Sequence, residues 1–157
     1  MSHRLLLVSS LCFVSSLCFV MALTACSKTE TQPQKKNVEY GDAIGIEFGD
    51  ATSGRYLAAV AAEKGRSPEK GVAALAGALQ EASKGCPSLA KEATNEKAPP
   101  TLHLLVKAGK LEAMPPDPHD LPSATCMSKA MNGKTTTLEA PTPYELTIQL
   151  LAKKAGE

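Results

Sequence analysis

The chain opens on an apolar run. Residues 5–23 contain no charged side chain, and within them Ser9-Ser10-Leu11-Cys12-Phe13-Val14 recurs unchanged as Ser15-Ser16-Leu17-Cys18-Phe19-Val20. A polar stretch without apolar periodicity follows at 27–37, and amphipathic patterns fill the rest. Ile44, Ile46 and Phe48 alternate and predict a short strand or extended segment. From Ser53 the spacing of Tyr56, Leu57, Val60 and Ala61 reads as one stripe of a helix ending near Gly65. Ser67, Pro68 and Glu69 then resemble a helix start, with Ser67 as cap and Pro68 in the first position. Val72, Leu75, Ala76 and Leu79 would face inward from that helix, Gly71 and Gly77 would weaken it, and Gly85 would end it.

The second half alternates more clearly. A helical turn over 89–93 is broken by Pro99-Pro100, and residues 101–106 form the strongest strand pattern, with Leu102, Leu104 and Val106 on one face. Lys107-Ala108-Gly109-Lys110 reads as a hairpin turn into a returning strand at 111–114. Four prolines between 115 and 122 require an irregular loop; Ser123 would cap a short helix through Met131, closed by Asn132-Gly133. Tyr144, Leu146, Ile148 and Leu150 give a final strand, and residues 153–157 would fray. The expected fold is α+β: a small antiparallel sheet with helices on one face. Its order is helix, strand, strand, helix, strand, after an N-terminal strand and helix.

The amino end carries an address. Arg4 precedes the apolar run, the pattern of a secretory signal; the alternative is a permanent transmembrane anchor, for which the run is long enough. The run closes on Leu23-Thr24-Ala25-Cys26, which resembles the lipobox of bacterial lipoproteins. That resemblance implies cleavage before Cys26, diacylglycerol on its thiol and a further acyl chain such as palmitate on its new amino group. No cofactor beyond this lipid is expected. Two or more chains together hold a protein stably in a membrane, where one does so only marginally. Ser27 stands where Gram-negative inner-membrane lipoproteins carry Asp, which favours the outer membrane, facing the periplasm. The expected organisation is a signal peptide (1–25), a lipidated tether (26–37), one domain (38–152) and a tail (153–157).

Charge removes several function classes. Seventeen Lys and Arg stand against sixteen Asp and Glu, and Arg4 leaves with the signal, so no electrostatic case exists for nucleic acid. Of five cysteines, Cys12 and Cys18 lie in the signal and Cys26 in the lipobox. Cys86 and Cys126 remain, and in an oxidising compartment a disulfide between them is expected, the alternative being two buried thiols. No Cys-x-x-Cys pair supports a redox role, and two cysteines without histidines at ligand spacing do not make a zinc site.

Candidate chemistry is sparse. Gly49 to Arg55 has phosphate-loop glycine spacing without the Lys-Ser/Thr that would contact phosphate, so a turn leading into the next helix is expected. Asp117, His119 and Asp120 form the one local cluster of potential metal ligands or proton-transfer groups. His103 reads as a partly buried structural histidine, and Tyr40, Tyr56 and Tyr144 are too scattered for a sugar platform.

Cys86 at a helix end, Leu104-Leu105-Val106-Lys107-Ala108-Gly109-Lys110-Leu111 as strand-turn-strand, Cys126 in the next helix and Pro141 before the last strand together resemble the TonB C-terminal-like domain of bacterial envelope proteins. The resemblance covers residues 72–151. It departs at Lys134-Thr135-Thr136-Thr137-Leu138, where that family usually carries an aromatic residue. It implies an envelope module that pairs an exposed strand with a protein partner, without catalysis. The expected function is therefore a membrane-anchored, non-enzymatic envelope lipoprotein. The alternative is a small periplasmic hydrolase or metal-binding protein using Asp117, His119 and Asp120.

Overall fold

The computed structural model describes residues 38–50 and 54–153. The signal, lipobox and tether readings, and the tail beyond Lys153, lie outside the described residues. β1 (Ile44–Asp50), β2 (Gly54–Ala62), β3 (Thr101–Lys107), β4 (Lys110–Ala113) and β5 (Tyr144–Ala152) form one antiparallel sheet in the order β1-β2-β5-β3-β4. Helices α1 (Val72–Lys84), α2 (Leu89–Glu92) and α3 (Pro122–Met131) complete it. α1 packs against β1 and α3, and α3 against β3 and β4, which is the α+β arrangement expected.

The last strand is the central one of the five, and its alternation is complete. Tyr144, Leu146, Ile148 and Leu150 are all buried, and β5 pairs with β2 on one side and β3 on the other. They meet Leu102, Leu104, Val106 and Leu111 from the β3–β4 hairpin, and Leu75, Leu79, Met127 and Met131 from the helices. Period-two burial on the strands thus faces period-3.6 burial on the helices across one core.

Residues 54–62 correct the expected helix. They form β2, with Tyr56, Ala58, Val60 and Ala62 buried, while Leu57 points outward and is 37% exposed. Alanine at 58, 59, 61 and 62 satisfies either period, so the local pattern was degenerate. Pairing on both sides, with β1 and β5, selected the strand. The glycine-spaced segment is accordingly the β1–β2 connection, not a lead into a helix, with Gly49 at φ +103° and Gly54 at φ +91°. A Cβ on Gly49 would lie 2.2 Å from the Gly54 carbonyl oxygen.

Two helix starts also differ from expectation. A 3-10 turn (Glu69–Gly71) precedes α1, and Ser67 Oγ accepts only a long bond, 3.4 Å, from the Glu69 N–H. α3 begins at Pro122, so Ser123 sits inside its first turn; its N–H and Oγ both donate to Glu92 Oε2, at 3.0 and 2.5 Å. A carboxylate from α2 thus supplies the acceptor that a capping residue normally provides. Cys86 and Cys126 are joined by a disulfide spanning 40 residues, tying the segment after α1 to α3.

Candidate functional site

The sheet treats its two edges differently, and the difference begins with chain direction after α3. Beyond Met131 the chain turns back along β4. Leu111 N–H donates to the Lys134 carbonyl (3.0 Å), and Gly133 N–H donates to the Leu111 carbonyl (2.7 Å). Thr136 N–H reaches the Gly109 carbonyl, and Asn132 Oδ1 accepts from Ala113 N–H at 2.9 Å. The β4 edge is closed.

At the other edge, β1 has one strand neighbour among the described residues, β2. Which of its groups face outward follows from the pairing. Glu63 N–H donates to the Glu145 carbonyl, and Lys153 N–H to the Arg55 carbonyl, so the odd residues of β2 bond toward β5. The even ones bond toward β1, where their partners are Ile44, Ile46 and Phe48. Gly45, Glu47 and Gly49 therefore direct N–H and C=O away from the sheet. Two of the three lack side chains, and the third, Glu47, is held by Lys153, whose hydrogen bond and charge lower the Glu47 carboxyl below its ordinary range. β1 carries neither Lys nor Pro, two residues that commonly protect an edge.

The Asp117, His119 and Asp120 cluster closes on itself. Asp117 N–H donates to Asp120 Oδ2 (2.8 Å), His119 N–H to Asp117 Oδ1 (3.0 Å), and Asp120 N–H to the Asp117 carbonyl (2.9 Å). Both carboxylates shape the proline-rich turn, and no group of three His, Cys, Asp or Glu that could hold a metal occurs among the described residues. No protein-family model, curated protein or solved structure matches this chain.

Asp120 lines a cleft of about 260 Å³ beside β4, whereas Asp117 and His119 are not among its lining residues. α3 contributes Thr125, Ser128 and Lys129 to the cleft, and His103 borders it from β3. Met114, Pro115 and Pro116 form an apolar wall. His103 is exposed, contrary to the expected partial burial; its Nδ1 lies 3.4 Å from Thr147 Oγ1. Sequence reading missed the α3 contribution, although Thr125, Ser128 and Lys129 have i, i+3, i+4 spacing, which places them on one helix face.

Proposed function

We propose that this chain is a lipid-anchored, non-enzymatic interaction module of the cell envelope that takes an extended segment of a partner protein along β1. The supporting observation is the contrast between the edges: four hydrogen bonds close β4, while Gly45, Glu47 and Gly49 present outward backbone groups. Backbone pairing at such an edge contributes affinity, and alternate side chains contribute specificity. In this reading Cys26 carries the lipid, residues 27–37 are the tether, and the outer membrane is the site of anchoring. The disulfide suits an oxidising compartment. The TonB C-terminal-like resemblance points to the same mode of binding.

Site-specific photo-crosslinking in intact cells tests this. A crosslinker at Ala43, beside β1, should trap an envelope protein, and one at Thr135, on the closed edge, should not. Cys26→Ser should release the chain from the membrane fraction and abolish the adduct. Gly45→Pro removes one outward N–H without touching the β1–β2 bonds, so the adduct should disappear while the thermal midpoint stays within a few degrees. An adduct that survives Gly45→Pro would refute pairing at this edge.

A further inference from the structure

We propose that the cleft between α3 and the proline-rich loop binds a small zwitterionic α-amino acid with an apolar side chain. The chemistry of the lining carries the argument. One face of α3 lines the cleft with Thr125, Ser128 and Lys129, residues that carry two hydroxyls and an ammonium. Together these form a donor set for a carboxylate. The loop wall offers the opposite charge: Asp120 faces the same space, and the Asp117 N–H on its Oδ2 fixes its orientation. Met114, Pro115 and Pro116 supply the apolar part of the lining.

Each simpler ligand leaves part of this lining unsatisfied. A phosphate or other dianion would meet the Asp120 carboxylate. A plain amine would meet Lys129, and a wholly apolar molecule would desolvate both charges without pairing either. A divalent cation lacks a group of three ligating side chains among the described residues. Size narrows the class further: about 260 Å³ falls below the roughly 300–1,000 Å³ typical of pockets for larger ligands. A single amino acid suits that volume. The site lies by β4, at the opposite edge of the sheet from β1, so it stands or falls independently of strand pairing.

Calorimetry and amide-resolved NMR on the full-length protein in detergent micelles, with L-leucine as probe, test the assignment. L-leucine should bind saturably and shift the amides of Thr125, Ser128 and Lys129. N-acetyl-L-leucine, which lacks the ammonium, and L-leucinamide, which lacks the carboxylate, should each bind at least about tenfold more weakly. Lys129→Gln should weaken L-leucine by a similar factor with an unchanged thermal midpoint, and Asp120→Asn, which keeps an oxygen to accept the Asp117 N–H, should weaken it likewise. Absence of saturable shifts at tens of millimolar L-leucine would overturn the proposal. Equal binding of either capped analogue would do the same, since the cleft would then read only one charge.

Discussion

Gly71 and Gly77 sit six residues apart beside or within one helix and have opposite physical meanings. A Cβ built on Gly71 would lie 2.4 Å from Leu138 Cδ2, 2.6 Å from its Cγ and 3.0 Å from its backbone nitrogen, and Leu138 is buried. Gly71→Ala should therefore destabilise the fold by about 1–3 kcal/mol through overpacking. Gly77 is exposed and has nothing within 4 Å of its Cβ position, so Gly77→Ala should stabilise by roughly 0.5–1 kcal/mol. Urea midpoints of the two variants, moving in opposite directions, check both. Helix propensity assigns the same penalty to both glycines, because it contains no information about Leu138. Glu92 is a second such residue. Glu92→Ala would leave the N–H and hydroxyl of fully buried Ser123 without their acceptor and should cost about 2 kcal/mol. Glu92→Gln keeps an acceptor oxygen, so it should cost less; the same urea series would show the ranking.

At the scale of elements, the β3–β4 hairpin, α1 and β5 were legible because each carries an unambiguous period and a local stop signal. Gly85 ends α1, and Ala108 and Gly109, both at positive φ, turn β3 into β4. β2 was not legible: its alanines bury equally well in either period, and its identity depends on strands some 10 residues before it and 90 after it. The two sheet edges are likewise decided between elements. Whether β4 is closed depends on where residues 132–136 run after α3, which no feature of β4 itself specifies. Gly45→Pro and Ile46→Pro separate edge from ladder at β1. The first deletes an outward N–H and should leave stability nearly unchanged, whereas the second deletes a bond to β2 and should unfold the hairpin, as thermal melts would show.

For the whole molecule, one cross-link and three tyrosine phenols contribute to the stability. Closing a loop of 40 residues contributes about 4 kcal/mol in the chain-entropy model, against a typical total of 5–15 kcal/mol. Cys86→Ala/Cys126→Ala, or reduction of the wild type, should therefore lower the thermal midpoint by on the order of 10 °C or more. Burial raises the phenol pKa of Tyr40, Tyr56 and Tyr144; nearby Glu145 and Glu63 add to the rise at Tyr40, and Arg66, 5.5 Å from the Tyr144 ring centroid, opposes it there. A folded pKa above the unfolded value near 10.0 gives a contribution fully present below that pH. It is lost as pH rises through the folded values. The thermal midpoint should fall above about pH 10, and less steeply in Tyr144→Phe, whose ring stays buried without titrating.

What the sequence determined by itself is whatever rests on a local period, a short motif or a count of residues: the α+β class, the hairpin, the last strand, and the two cysteines left to pair. The elements follow from residues a few positions apart, where backbone geometry alone decides which side chains share a face, and the cysteine pair follows from elimination. The tertiary structure alone decided what rests on groups far apart in the chain: β2 as a strand, Glu92 at the start of α3, and Leu138 over Gly71. It also placed Asp120, but not Asp117 or His119, on the lining of a cleft that α3 shares through Lys129. These depend on packing distances, and hydrophobic burial, which sets those distances, is blind to position along the chain.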